Sequence, residues 1–352
     1  MSFQFSNDQL TAIDNIYTQL LDTTPINVHS LAVLTGAAGT GKTTVVGEII
    51  KKIKSHFPTL EISLCATTNR AATVLSDIVD EPVFTGHALF KLRPAVTKYG
   101  KESLKKVGFC EIPFESVVII DEASMIGNKF LEAIVDIVRH RNLKVLFVGD
   151  QFQLPPPSDT CSIFDGSLPT FKLTTVHRQI GGNPILDKAT EFRKFIEGTV
   201  TTEPTIDTYL NSAGEGIHVL PHAEFVTKFV EKYIDYTTGA EVNVPLCTFT
   251  NESAINYNSM VRKSAYFLEN VIEPFYAGER LIANNVVIQD DKTVLTNNEV
   301  VHVMSYVETE QYSIPGYLVN LQGDYNKYTK SNKKQVFSPK TPAAANKVLD
   351  DF

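Results

Sequence analysis

The segment Gly36-Ala37-Ala38-Gly39-Thr40-Gly41-Lys42-Thr43 has the spacing G-x-x-x-x-G-K-T, directly after the apolar run Leu31 to Thr35 and before a stretch of helical periodicity. Glycines at those positions let backbone N–H groups surround a polyphosphate, and a helix N-terminus adds the positive end of its dipole. Lys42 would reach the β- and γ-phosphates, Thr43 would hold Mg²⁺ through its hydroxyl, and Thr44 would close the cradle. A second group, Asp121 and Glu122, ends the apolar run of VVIIDEAS. In open α/β sheets the carboxyl ends of strands are where ligands bind. Asp121 would hold Mg²⁺ through water, and Glu122 would orient or deprotonate an attacking water. A third run ends in GDQFQLPP, Gly149 to Pro156, where an acid and two glutamines could sense a γ-phosphate. ATP and Mg²⁺ are therefore the expected ligands. The second carboxylate favours hydrolysis over binding alone.

Elements of a definite kind must hold these residues. The apolar runs Leu31 to Thr35, Ile62 to Ala66, Val117 to Ile120, Val145 to Val148 and Phe171 to Leu173 read as strands. Thr43 to Phe57, Arg70 to Val79 and Asn128 to Arg139 carry helical spacing between them. Alternation of this kind predicts a parallel α/β sheet, and apolar runs predict helices on both faces. Lys91 to Pro113 interrupts the alternation with six cations against one acid, Glu102, between Lys91 and Lys106. Tyr99-Gly100 at its middle predicts an inserted hairpin. The second half resumes with strands at Gly216 to Leu220 and Val244 to Thr248, and helices at Ala223 to Tyr236 and Ser253 to Leu268. From about Gly278, short runs at Val286 to Ile288, Val300 to Met304 and Tyr317 to Leu321 predict a small all-β module. Ser338 to Phe352 reads as a polar turn and a short helix.

At 352 residues, 43% apolar and 20% charged, the chain has the composition of a soluble protein of two domains. The opening residues lack the blocks of a signal peptide, and no apolar run approaches the roughly 18 residues of a membrane span. A cytoplasmic location without membrane association is the expectation. Cys65, Cys110, Cys161 and Cys247 lie far apart with no CxxC pair, which predicts buried free thiols rather than zinc ligands or disulfides. The net charge of -8 leans against nucleic acid, but whole-chain charge does not decide what a local groove can hold.

Taken together, GAAGTGKT, ATTNRAA (Ala66 to Ala72), DEAS, GDQFQLPP, LTTVHRQ (Leu173 to Gln179) and TFTNESAINYNSMVR (Thr248 to Arg262) resemble superfamily 1 DNA helicases of the Dda/RecD group. The resemblance implies a first P-loop, RecA-like domain over 1–185 with the basic hairpin at 91–113. A partial second RecA-like domain would follow over 186–277, then an SH3-like β module over 278–340 and a tail over 341–352. It implies that Gln9 recognises the adenine edge and that Gln153 contacts the γ-phosphate. Arg178 would stabilise charge on the transferred phosphoryl, an effect of roughly 10³ to 10⁵ in rate. Thr67, Thr68 and Asn69 would touch the strand backbone, as would Thr85 and His87, although a packed or capping role is open for His87. Asn251 and Arg262 are either strand contacts, the favoured reading, or structural anchors. The hairpin would be a wedge at a duplex fork, with Lys101 on phosphate and Tyr99 stacked on a base; a solvated charged hairpin is the alternative. Tyr325 to Lys340, with five lysines, is either a strand guide or an exposed loop.

Two further family motifs are not found after Leu268. The expectation is accordingly a C-terminally truncated chain that binds ATP·Mg²⁺ but hydrolyses it weakly. The favoured function is a monomeric, 5′ to 3′ ATP-dependent translocase on single-stranded DNA or forked duplex, working with replication or recombination proteins. An RNA helicase and a nucleotide-gated binding module without unwinding are the alternatives. A metabolic kinase sharing only the phosphate loop is disfavoured by DEAS, GDQFQLPP and Arg178 together.

Overall fold

The structure is a computed structural model that describes residues 4–21, 31–96, 102–156, 159–176, 183–237, 245–265, 273–283, 287–289, 292–295, 299–311, 313–323 and 333–340. The chain divides into two compact units. One comprises Met1–Gly181 with Ile282–Val301, and the other Gly182–Leu281 with His302–Phe352.

The first unit runs α1 (Asn7–Leu20), β1 (Leu31–Gly36), α2 (Lys42–His56), β2 (Ile62–Ala66), α3 (Asn69–Val79), β3 (Val83–Thr85) and α4 (Gly86–Leu89). It continues with β4 (Leu92–Val96), β5 (Glu102–Lys106), β6 (Val117–Asp121), a 3₁₀ turn at Ala123–Met125, α5 (Asn128–Arg141), β7 (Lys144–Gly149) and β8 (Thr170–Leu173). Six strands form one sheet in the order β3-β2-β6-β7-β1-β8, and every pairing in it is parallel. The five strands expected from apolar runs are all present, within a residue or so of their expected ends.

Side chains alternate between the two faces of a strand, and both faces of this sheet are buried. Ala32, Leu34, Ile119, Leu146 and Val148 pack with Ile13 and Ile16 of α1 and with Val46, Ile49 and Ile53 of α2. Val33, Val118, Ile120, Val145 and Phe147 face the other way, against Ile134, Ile137 and Val138 of α5. Continuous apolar runs are thus the signature of a sheet between two helical layers. The basic insert is a hairpin, with β4 antiparallel to β5 from Leu92 opposite Lys106 to Val96 opposite Glu102. Its root is fixed because Phe90 and Leu92 are buried in the second of these cores. Tyr99 and Lys101, at the expected tip, lie outside the described residues.

The second unit contains α6 (Pro184–Ile196), the short strands β9 (Tyr209–Leu210) and β10 (Gly216–Ile217), α7 (His222–Thr237), α8 (Asn251–Ala265) and β11 (Arg280–Ile282). The chain returns to the first unit for β12 (Val287–Gln289) and β13 (Lys292–Leu295), and then gives β14 (Val300–Gln311), whose first two residues still belong to that unit, β15 (Ile314–Gly323) and β16 (Lys333–Pro339). Asn183 caps α6 by accepting from the Ile185 and Leu186 amides, with Pro184 at the first helical position.

Two expected strands differ from what folds. The run from Gly216 to Leu220 shortens to two residues in an antiparallel pair with β9. Residues 245–248 form no strand, and Phe249 beside them is fully exposed. An apolar run becomes a strand only when a neighbour offers a hydrogen-bonding edge, which a single segment cannot supply from its own sequence. The module after Gly278 is all-β, with β11, β14, β15 and β16 in one sheet and β12–β13 in a separate hairpin. Residues 333–339, where the sequence suggested a loop or polar turn, are strand β16 paired along β15 from Lys333 to Pro339. The expected terminal helix lies outside the described residues.

Candidate functional site

Parallel pairing brings the motif segments of the first unit to one edge. β1 ends at Gly36, β2 at Ala66, β3 at Thr85, β6 at Asp121, β7 at Gly149 and β8 at Leu173. These are the carboxyl ends of six parallel neighbours. GAAGTGKT, TTN, TGH, DEAS, GDQ and the LTTV that follows β8 therefore leave the sheet on the same side. Registers fix their order, with Thr35 opposite Gly149 and Gly36 opposite Leu173.

The phosphate loop turns between β1 and α2 with Gly41 in the left-handed region (φ 80°) as N-cap. A side chain there would be strained, and its Cβ would meet Gln9 Nε2 at 2.5 Å. Gly36 is equally confined, because a Cβ would meet Thr40 Oγ1 at 2.7 Å. No side chain caps α2, whose start presents the positive end of the helix dipole to the loop. Lys42 Nζ donates to the Gly36 carbonyl at 2.9 Å and the Ala37 carbonyl at 3.3 Å, which holds the ammonium over the loop. Thr43 and Thr44 follow in the first turn, half-buried.

Asp121 closes β6 with its carboxylate accepting from the Glu122 amide at 2.9 Å. Burial pushes its pKa up to about 6; the Glu122 amide and Lys42 pull it down, and the Glu122 charge adds to the rise. Glu122 itself adopts the left-handed conformation (φ 55°), which is unusual for a non-glycine residue and fits strain stored at a functional position. Next to it, Ser124 is buried with its hydroxyl unpartnered among the described residues. A largely desolvated carboxyl coupled to Lys42, at the same rim as a helix start without a side-chain cap, suits a divalent cation carried in with phosphate oxygens. Asp150, also buried, accepts from the Phe152 amide and shapes the turn that leaves Gln153 exposed.

Gln9 is placed differently from an exposed helix residue. It is buried, accepts from the Ser6 amide through Oε1 at 3.0 Å and donates from Nε2 to the Thr40 carbonyl at 2.9 Å. The residue thereby completes the capping box of α1 and braces the phosphate loop at once. Arg178 lies outside the described residues.

The candidate strand contacts are engaged locally. Thr68 accepts from the Ala71 amide and caps α3, with Asn69 opening that helix; Thr85 accepts from the Ala88 amide and caps α4. Thr67 Oγ1 points to the Glu122 carbonyl at 3.4 Å. Hydroxyl residues between a strand end and a helix are natural N-caps, so the type alone did not separate the two uses. His87 stacks on Phe130 with ring centroids 4.6 Å apart, and burial lowers its pKa, which is the packed arrangement. In the second unit Asn251 is exposed in the first turn of α8. Arg262 pairs with buried Glu279 at 2.7 Å, donates to the Glu273 and Pro274 carbonyls, and lies 5.1 Å from the Tyr276 ring centre. That is the geometry of an anchor. All four cysteines are free, but only Cys65 is fully buried and Cys247 is exposed.

A family model described as an AAA domain matches residues 6–207, more than half of the chain and the whole of the edge described above. The chain belongs to the AAA domain family. Within this AAA family chain the sequence is 34% identical over 163 residues to the ATP-dependent RecD2 DNA helicase of Deinococcus radiodurans, covering 46% of the chain and 21% of that protein. It is 25% identical over 303 residues to an uncharacterized protein of Acanthamoeba polyphaga mimivirus, covering 80% and 60%. Likeness to the ATP-dependent DNA helicase PIF1 of Saccharomyces cerevisiae is 28% over 178 residues, 45% of the chain and 20% of that protein. The chain thus spans about a fifth of the length of the RecD2 helicase it matches. Its resemblance to superfamily 1 helicases of the RecD type stands on these matches and on the six motifs. No described helix is long and apolar enough to cross a membrane.

Two residues escaped the sequence reading. Asp8, whose Oδ2 accepts from the Thr174 amide at 2.8 Å and the Thr175 amide at 2.9 Å just beyond β8, carried the faint signal of a capping box, S-x-x-Q, at Ser6 to Gln9. Ser124 carried none, because an unpartnered hydroxyl is a property of packing alone.

Proposed function

We propose that this chain is the ATP-driven motor portion of a DNA helicase that moves 5′ to 3′ along single-stranded DNA. The observation that carries the proposal is the gathering of six motif segments on one carboxyl edge, with Lys42 and the buried Asp121 electrostatically coupled across it. Membership of the AAA family supports nucleotide binding, and likeness to RecD2 and PIF1 supports DNA as the partner.

In this reading the loop amides of Gly36 to Thr44 and Lys42 hold the β- and γ-phosphates of ATP, with Gln9 bracing the loop near the adenine side. Thr43 and Asp121 would hold Mg²⁺, which supplies charge neutralisation to the phosphate oxygens. Glu122, set by its left-handed backbone beside Asp121, orients water and accepts its proton. Gln153 and Arg178 approach the γ-phosphate, and Arg178 stabilises charge that develops in the transition state. The second unit, partly RecA-like, would close on nucleotide, and the SH3-like β module would guide the strand. The hairpin β4–β5, with Tyr99 and Lys101, would stand at the fork. The Thr67–Asn69 and Thr85–His87 turns would line the strand's path.

Forked duplexes with a single tail test this. DNA with a 5′ tail should be unwound slowly in the presence of ATP, in keeping with weak hydrolysis by this chain, while a 3′ tail or an RNA fork should not support displacement. Equal displacement of RNA would make the chain an RNA helicase. Tight, ATP-dependent binding without displacement would make it a nucleotide-gated binding module.

A further inference from the structure

Resemblance assigns Gln9 to the adenine edge, but both ends of its carboxamide already hold backbone partners. The Ser6 amide can only donate and the Thr40 carbonyl can only accept, so together they fix which end is oxygen and which is nitrogen. Oε1 faces Ser6 and Nε2 faces Thr40. The residue is 1% exposed, so its second N–H and second lone pair are closed to a base arriving from solvent. Gly41 shares in the arrangement. A Cβ there would lie 2.5 Å from Nε2, so the carboxamide occupies space that only a glycine leaves open.

What the bond to Thr40 does follows from the peptide plane. In a planar trans peptide the C=O and the following N–H point in opposite directions. Holding the Thr40 carbonyl at Gln9 therefore turns the Gly41 N–H away from Gln9. Gly41 has a φ of 80°, a region that glycine enters and leaves freely. A flipped Thr40–Gly41 peptide would present a carbonyl oxygen where an anion needs a donor. Thr40 is fully buried and directs its own hydroxyl to the Ala37 carbonyl at 2.9 Å, so solvent does not take the place of Gln9. The support is rigid, because Ile13 and Ile16 of α1 share one core with Val46 and Ile49 of α2.

We propose that Gln9 is a positioning residue for the phosphate cradle and does not read the base. It keeps the Thr40–Gly41 peptide turned with its N–H towards phosphate, and its contribution to binding is the same for any nucleoside triphosphate. This inference rests on the nucleotide site of the proposed function.

The test is equilibrium binding, with Mg²⁺, of ATP, GTP and inorganic tripolyphosphate to the full chain and to its Gln9→Glu variant. The carboxylate keeps an acceptor for the Ser6 amide, and with it the helix cap, but sets an oxygen against the Thr40 carbonyl. Affinity for all three ligands should fall by about tenfold, the scale of one buried hydrogen bond, with the ratio of ATP to GTP affinity unchanged. Loss confined to ATP would overturn the inference, since Gln9 would then read adenine. Wild-type affinity for all three in the variant would overturn it as well. A wild type that binds none of the three would strike the nucleotide site itself, and the inference with it. Gln9→Met, of similar length and without a donor, gives the same comparison should the buried carboxylate unsettle the fold.

Discussion

Asp121 is a carboxyl group held out of water at the end of β6, with a pKa of about 6 against an ordinary 3.8. Its folded value lies above its unfolded value, so the folded state binds the proton more tightly. The stability that follows is fully present below about pH 4 and is lost as pH rises through 6. A shift of two units corresponds to about 3 kcal/mol. Nucleotide-free Asp121→Asn protein should therefore melt above the wild type at pH 7 to 8, with the gap closing towards pH 4. A gap that stays constant over that range would mean that Asp121 is not desolvated as described. The same cost has a functional side, because a cation brought in with nucleotide relieves it.

At the scale of elements, α8 is tied to the segment before β11 by Arg262, which meets Glu279, two carbonyls and the Tyr276 ring. Removing the half-buried arginine leaves the buried Glu279 charge without its partner, which lowers stability. Arg262→Ala should lower the melting temperature of the second unit and leave affinity for single-stranded DNA close to wild type. A variant with unchanged melting but weakened DNA binding would restore Arg262 to the strand-contact role. The sheet was legible in the sequence because Leu31–Gly36, Ile62–Ala66, Val117–Asp121 and Lys144–Gly149 are buried on both faces and so stay apolar throughout. Val244 to Thr248 looked the same on paper. Whether such a run pairs depends on an edge elsewhere in the chain, and its own residues do not encode that. Arg262 illustrates the same gap, because a motif arginine looks alike whether it faces a strand or a glutamate.

For the molecule as a whole, the convergence of G-x-x-x-x-G-K-T and D-E on one sheet edge was legible because each follows an apolar run that ends in a turn. The threonines proposed as strand contacts could not be told from helix caps in the sequence, since the two uses share one chemistry. Net charge of -8 leaves the basic hairpin as a local feature on an acidic chain, a distribution that the proposed motor would need in order to release a strand as well as hold it. Everything proposed for the chain depends on ATP turnover at the edge where Lys42, Thr43, Asp121 and Glu122 gather. The most direct test measures the rate of ATP hydrolysis, with Mg²⁺, in the presence and absence of single-stranded DNA, for the wild type and for Glu122→Gln. Turnover should rise with DNA in the wild type and fall by at least about a hundredfold in Glu122→Gln, whose ATP affinity stays intact. Turnover that ignores both the DNA and the substitution would contradict the account.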